Sequence, residues 1–286
     1  MSGFASNAAS KCLIAGAAVG TLVLASALTS AMAQAAPVGR PDFAAGGAGW
    51  VSIGTDWEPV PGTAPPVTYD PAHRYVPNGS GEQPTFRVAD LNNPNLTDFA
   101  KTELKKANDM VLSGFAMYAR ESRCWMTGTP VYLLNPAQPT FFLHEPKKIT
   151  MLWQMDQQVR HIYMDVPHSA HPKPSWYGES IGHWEGDTLV VDTIGQNTKT
   201  FIDNYRTPHS DRLHVVERFH LTDGGKGLQA DVTIEDPVAL KQPWHLVHRW
   251  RKVEGTVIES RCADGEMVNP FGQNAEPIPT SVKPDF

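Results

Sequence analysis

Three stretches of the chain gather side chains able to move protons or hold a metal. The first is Pro167-His168-Ser169-Ala170-His171-Pro172. The second runs from Ser175-Trp176-Tyr177-Gly178-Glu179 to Asp192-Thr193. The third is Pro208-His209-Ser210-Asp211-Arg212-Leu213-His214-Val215-Val216-Glu217. Glu217 is the strongest single candidate, because it falls in the apolar row Leu213, Val215, Phe219 and Leu221. A carboxylate in such a row is costly unless paired, and burial pushes a carboxyl toward the range of a general base. A salt bridge with a core arginine is the structural alternative. His209 and Asp211 precede that strand, and a His held in one tautomer by an Asp works as acid or base. The same turn has a bland reading, since Ser and Asp are ordinary turn formers.

His168 and His171 have H-x-x-H spacing, but Pro167 and Pro172 exclude a helix there, so the spacing loses its metalloprotease meaning. A divalent metal held by His168, His209 and His214 is chemically reasonable, since neutral imidazoles suit Zn, Cu or Fe. Nothing points to a nucleotide cofactor. There is no P-loop, no G-x-G-x-x-G and no G-x-S-x-G elbow.

These residues need a scaffold, and its elements are legible in outline. Ala100, Leu104, Ala107, Val111, Phe115 and Tyr118 recur at spacings of three and four, which predicts an amphipathic helix over Thr97–Arg120. Thr97 or Asn95 can cap it. From Val131 onward, short β runs alternate with turn signals. Strands are expected near 131–134, 140–144, 148–154, 159–165, 176–184, 188–194, 213–221, 227–235, 244–250 and 257–262. Glu185-Gly186-Asp187, Asp223-Gly224-Gly225 and Glu254-Gly255 mark the turns. The expected fold is mainly β, an antiparallel meander that closes into a barrel. Inward rows would be Leu228, Ala230, Val232 and Ile234, then Trp244, Leu246, His248 and Trp250. An apolar barrel with an aromatic rim and a few inward polar groups is a ligand container. Its ligand would meet Trp176, Asp192, His214, His248 and Trp250.

Residues 34–95 are rich in Pro, Gly, Asn and Asp and read as an extended arm, anchored by Trp50, Trp57 and Tyr75. Residues 96–286 then form the helix and barrel domain. Residues 1–33 read as a secretory signal peptide, with an apolar run from Leu13 to Leu28 and the small-residue pattern Ala31-Met32-Ala33. Its removal leaves Cys124 and Cys262, an even pair that suggests a disulfide in an oxidising compartment. No second apolar run reaches spanning length, so a periplasmic or secreted protein without membrane insertion is expected. The net charge of −6, with no basic stripe, argues against nucleic acid as partner and leaves a small molecule.

One block is specific enough to carry a resemblance. It is Ser180-Ile181-Gly182-His183-Trp184-Glu185-Gly186-Asp187-Thr188-Leu189-Val190-Val191-Asp192-Thr193. With Arg160-His161-Ile162-Tyr163-Met164-Asp165, Pro208-His209-Ser210-Asp211, Glu217-Arg218-Phe219 and Val232-Thr233-Ile234-Glu235-Asp236-Pro237, it resembles a family of secreted bacterial proteins of unknown function. That family is abundant as paralogues in acidobacteria and occurs in proteobacteria. The resemblance covers Cys124 to the C-terminus and implies an exported, lipocalin-like barrel. It supplies no reaction. His168, Trp176, Asp192, His209, Asp211, His214 and Glu217 match its pattern, whereas His171 and the arm depart from it.

Together these readings give an expected function: acid–base chemistry of lyase, isomerase or hydrolase type on an apolar or aromatic compound. Glu217 would be the base, and His209, oriented by Asp211, the acid. Trp176 would stack on the ligand and His168 would complete the polar wall. The alternative is a non-catalytic carrier or sensor using the same pocket.

Overall fold

The structure is a computed structural model that describes residues 39–257, apart from 78–79, 83–84, 114, 117–125, 136–137, 155–157 and 256, together with 274–275. The expected signal peptide and the Cys124–Cys262 pair lie outside the described residues.

Alternating sequence produces the strands, and the strands close on themselves. The barrel contains β1 (Ala48–Pro59), β3 (Thr140–Glu145), β4 (Lys148–Trp153), β5 (Gln158–Met164) and β6 (Glu179–Glu185). It continues with β7 (Thr188–Ile194), β8 (His214–Thr222), β9 (Gly227–Glu235) and β10 (Trp244–Glu254). Their order around the wall is β1-β10-β9-β8-β7-β6-β5-β4-β3, and β3 returns to β1. Two short strands, β2 (Phe115–Ala116) and β11 (Asn274–Ala275), pair separately. The architecture is mainly β and consistent with the lipocalin-like barrel the sequence predicts. Gly186, at φ 63°, turns the β6–β7 hairpin as the Glu185-Gly186-Asp187 signal requires.

Three expectations need correction. The meander is not wholly antiparallel, because β5 and β6 run parallel, with Ile162 opposite Ser180. A parallel neighbour demands a crossover of a dozen or more residues. Residues 165–178, laden with Pro167, Pro172 and Pro174, supply it. Residues 131–134 are not a strand but a buried 3₁₀ turn, Val131–Leu134, which follows Pro130. Finally, the supposed arm contains the first barrel strand. Trp50 and Trp57 sit on β1 and are buried, while Tyr75 stacks under the Arg87 guanidinium at 4.2 Å.

The helix α1 spans Asp98–Leu112, shorter at its C-terminus than the apolar spacing suggests. Ala100, Leu104 and Ala107 face inward as predicted, and Asn108 joins them by bonding both the N–H and the carbonyl of Ala89 at 2.8 Å. Thr97 caps the helix by accepting from the Ala100 N–H, and its hydroxyl donates to the Val238 carbonyl at 2.6 Å. Thr97→Ala is expected to cost about 1 kcal/mol. A urea midpoint unchanged by that substitution would count against the cap.

The inward rows match expectation. Leu213, Val215, Glu217 and Phe219 on and before β8 are buried and Leu221 is partly so, and Leu228, Ala230, Val232 and Ile234 on β9 and Trp244, Leu246, His248 and Trp250 on β10 are buried. Trp50, Leu133, Phe142, Met151, Phe219 and Trp250 surround a void of only about 10 Å³, which is near the limit for a single water. Large rings from facing strands meet there, with Phe142 and Phe219 edge to face at 5.8 Å.

Candidate functional site

The polar residues singled out in the sequence fall into three separate places. Glu217 lies in the barrel core, 0% exposed. Its Oε1 accepts from Arg160 Nη1 at 2.8 Å and its Oε2 from Nη2 at 2.5 Å. Arg160 also donates from Nε to Ser180 Oγ at 3.0 Å, from Nη1 to the Tyr132 hydroxyl at 2.6 Å and from Nη2 to Thr193 Oγ1 at 2.7 Å. A guanidinium has five N–H groups, and all five are used. Burial pushes the Tyr132 phenol up. For Arg160 burial acts downward, but Glu217 and Tyr132 outweigh it and the guanidinium is held more firmly charged. The core-arginine alternative is therefore the arrangement seen. His248 and Trp250 share this interior, where the His248 ring packs edge-on to Trp250 at 4.7 Å and its Nε2 meets Ser52 Oγ at 2.5 Å.

His168, Asp192 and His214 meet on the outside of the wall. Outward positions of β6, β7, β8 and β9 bring Glu179, Asp192, His214 and Glu235 side by side, and the crossover lays His168 over them. His168 places Nδ1 at 3.0 Å from Glu179 and Nε2 at 2.9 Å from Asp192. His214 places Nε2 at 3.0 Å from the same Asp192 oxygen and Nδ1 at 3.2 Å from Glu235. Hydrogen bonding by Asp192 raises the pKa of His214, against its partial burial. The same pairing, first with His214 and then with His168, lowers that of Asp192. Both nitrogens of each ring are spent on carboxylates. His209 is not part of this cluster, and no described group of three or more His, Cys, Asp or Glu side chains is arranged to hold a metal ion.

His209 lies on a cleft beside the barrel. The cleft, about 890 Å³, opens between α1 and residues 196–211. Phe99, Met110, Phe201, Pro174 and Pro208 give it apolar walls, and Glu103, Lys106 and Asp211 give it charges. Two buried carboxylates brace the loop that carries His209. Asp203 accepts from the Tyr205 and Thr207 N–H groups and from Thr207 Oγ1. Burial pushes the Asp203 carboxyl up, against these hydrogen bonds. Asp236 accepts from the Ser210 N–H and Oγ and from the Val238 N–H.

Within this frame His209 Nδ1 lies 2.9 Å from the Ser210 carbonyl, and Nε2 lies 2.7 Å from Thr200 Oγ1. A carbonyl only accepts, so a neutral ring carries its proton on Nδ1 and Nε2 accepts from the Thr200 hydroxyl. That is the relation of a hydroxyl to its general base. Asp211 stands exposed at the cleft, and the Ser210 carbonyl takes the orienting role expected of it. Trp176 is half-buried, 5.9 Å from the Lys199 ammonium, and its carbonyl accepts from the Thr129 N–H. Thr200 escaped the sequence reading, since an uncharged hydroxyl in a loop carries no periodic or electrostatic signal. No protein-family model, curated protein or solved structure matches this chain.

Proposed function

We propose that this is an exported, periplasmic or secreted protein that takes a small, largely apolar or aromatic molecule into the cleft beside α1. There it performs proton-transfer chemistry of lyase, isomerase or hydrolase type, with no nucleotide cofactor. His209 is the acid–base group and Thr200 its hydroxyl partner. The observation that carries this reading is the 2.7 Å contact between Thr200 Oγ1 and an imidazole locked from behind by a carbonyl, on the wall of a cleft large enough for a ligand. Glu217 serves the fold in this reading, because Arg160 occupies both its oxygens.

The test is incubation of the protein with a bacterial metabolite extract, followed by untargeted mass spectrometry. The compound consumed by the wild type should turn over about 10²–10⁴-fold more slowly with His209→Gln. Thr200→Val should slow it as well. Undiminished turnover in both variants sinks the assignment.

A second reading, a carrier or sensor, is favoured by one observation. His209 is only 3% exposed and Thr200 only 1%. It predicts a ligand retained through purification and recovered chemically unchanged after long incubation.

A further inference from the structure

The cleft runs the length of α1. Phe99, Glu103, Lys106 and Met110 all line it and recur at spacings of three and four, so one face of the helix forms a wall. From Phe99 to Met110 the helix rises about 16 Å. Phe99 is 40% exposed on that wall, while Ala100 and Leu104 pack into the core from another face of the helix. A helix that only covers a core needs one apolar stripe, and this one turns a second to the cleft. The reactive pair sits at one end. Asp236 accepts from the Ser210 and Val238 N–H groups, and the Val238 carbonyl accepts from Thr97, the cap of α1. His209, next to Ser210, therefore stands at the N-terminal end of the helical wall. At the other end Arg206, also on the cleft, donates to the Arg87 carbonyl, close in sequence to the Ala89 that Asn108 grips.

Polar groups along the walls are already engaged. Glu103 and Lys106 pair at 2.6 Å. The Asn197 N–H donates to the Ser175 carbonyl, and Asn197 Oδ1 accepts from the Lys199 N–H. Ser210 donates from both its N–H and its Oγ to Asp236. Pro174 and Pro208 have no N–H to offer, and beyond its first turn α1 spends its N–H groups within the helix. An extended peptide laid here would leave its amides unpaired, at a cost for each. A hydrocarbon chain asks for no partner. Its length also fits, since half the hydrocarbon core of a bilayer, one acyl chain deep, is about 15 Å. We infer that the cleft takes a free long-chain alkyl or acyl compound, which lies along α1 with its reacting end at His209 and its tail at Met110. The inference rests on the reading of the cleft as a small-molecule site and names its substrate class.

The experiment is equilibrium dialysis of the protein against hexanol, octanol, decanol, dodecanol, tetradecanol and hexadecanol, with naphthalene as a compact apolar control. Affinity should climb about threefold or more with each added methylene and level off near tetradecanol, where the chain outruns the helix. Met110→Trp, which fills the tail end, should bring the plateau to a shorter alkanol. A climb that continues through hexadecanol, an affinity indifferent to length, or a plateau unmoved by Met110→Trp overturns the inference. Naphthalene bound more tightly than dodecanol also overturns it and leaves the cleft reading standing. Flotation with phosphatidylcholine vesicles, without retention of any free alkanol, would assign the cleft to a membrane surface and overturn it as well. If neither the alkanols nor naphthalene are retained and the vesicles do not float the protein, the small-molecule reading fails and the inference falls with it.

Discussion

Glu217→Ala should cost the fold about 3–5 kcal/mol, the loss expected when one partner of a buried ion pair is removed and the other stays charged. Arg160, at 2% exposure, would keep its guanidinium among Tyr132, Ser180 and Thr193 with no carboxylate to balance it. For a chain of this size the melting temperature should fall by roughly 10 °C. The double variant Arg160→Met/Glu217→Leu should recover most of the loss, because apolar residues of similar volume often replace a buried pair without penalty. Urea unfolding of the wild type, the single variant and the double variant measures both effects. If Glu217 were instead the catalytic base, Glu217→Gln would abolish turnover and leave the urea midpoint where it was.

Acidification should weaken the fold between pH 6.5 and about 4, and His248 should account for much of it. Burial lowers the pKa of this ring from 6.5 to about 4, with the Asp56 backbone opposing and Arg249 assisting. The sign follows from the two states. Above pH 6.5 the ring is neutral whether the chain is folded or not, and its contribution is complete. As pH falls toward 4 the unfolded chain takes up a proton that the folded chain refuses, so stability drains away by about 3 kcal/mol and then levels off. Asp192 acts in a lower window, since its pKa in the fold lies below 3.8. His214 acts in the opposite sense, because its raised pKa gives stability that is lost as pH rises through it. Urea midpoints from pH 7 to 4 should slope in the wild type and flatten in His248→Leu. Identical slopes in the two proteins would remove His248 from the account.

What the sequence reveals depends on whether a signal is periodic. The inward rows of β8, β9 and β10 follow from an alternation of two, and that alternation also exposes Glu217 as an odd residue in an apolar row. The same alternation places Gln158, Arg160, Ile162 and Met164 on one face of β5, the buried one, and the structure shows that Arg160 is the partner of Glu217. β1 is hidden because its alternation breaks. Ile53 pairs with Arg249 and Glu58 with Val247, so four residues of β1 bulge out opposite His248 alone. Strand direction is not local information either, and only the length of residues 165–178 hints that β6 must run parallel to β5. At the cleft, His209 and Asp211 are visible as a polar turn. Thr200 is not, because its significance lies in a partner gained in space.

β1 and β10 meet at a seam that joins the beginning of the barrel to its end. Ser52 and His248, bonded across it, are 196 residues apart in the chain. Loop closure over such a distance carries an entropic cost that no local contact offsets in advance, so this pairing belongs late in folding. Until it forms, β1 and β10 each present a row of unpaired N–H and carbonyl groups, the template on which strands of other molecules can add. The half-made barrel is thus the most aggregation-prone form of this chain, and a substitution that delays the seam will lower the yield of folded protein even where the finished structure tolerates it.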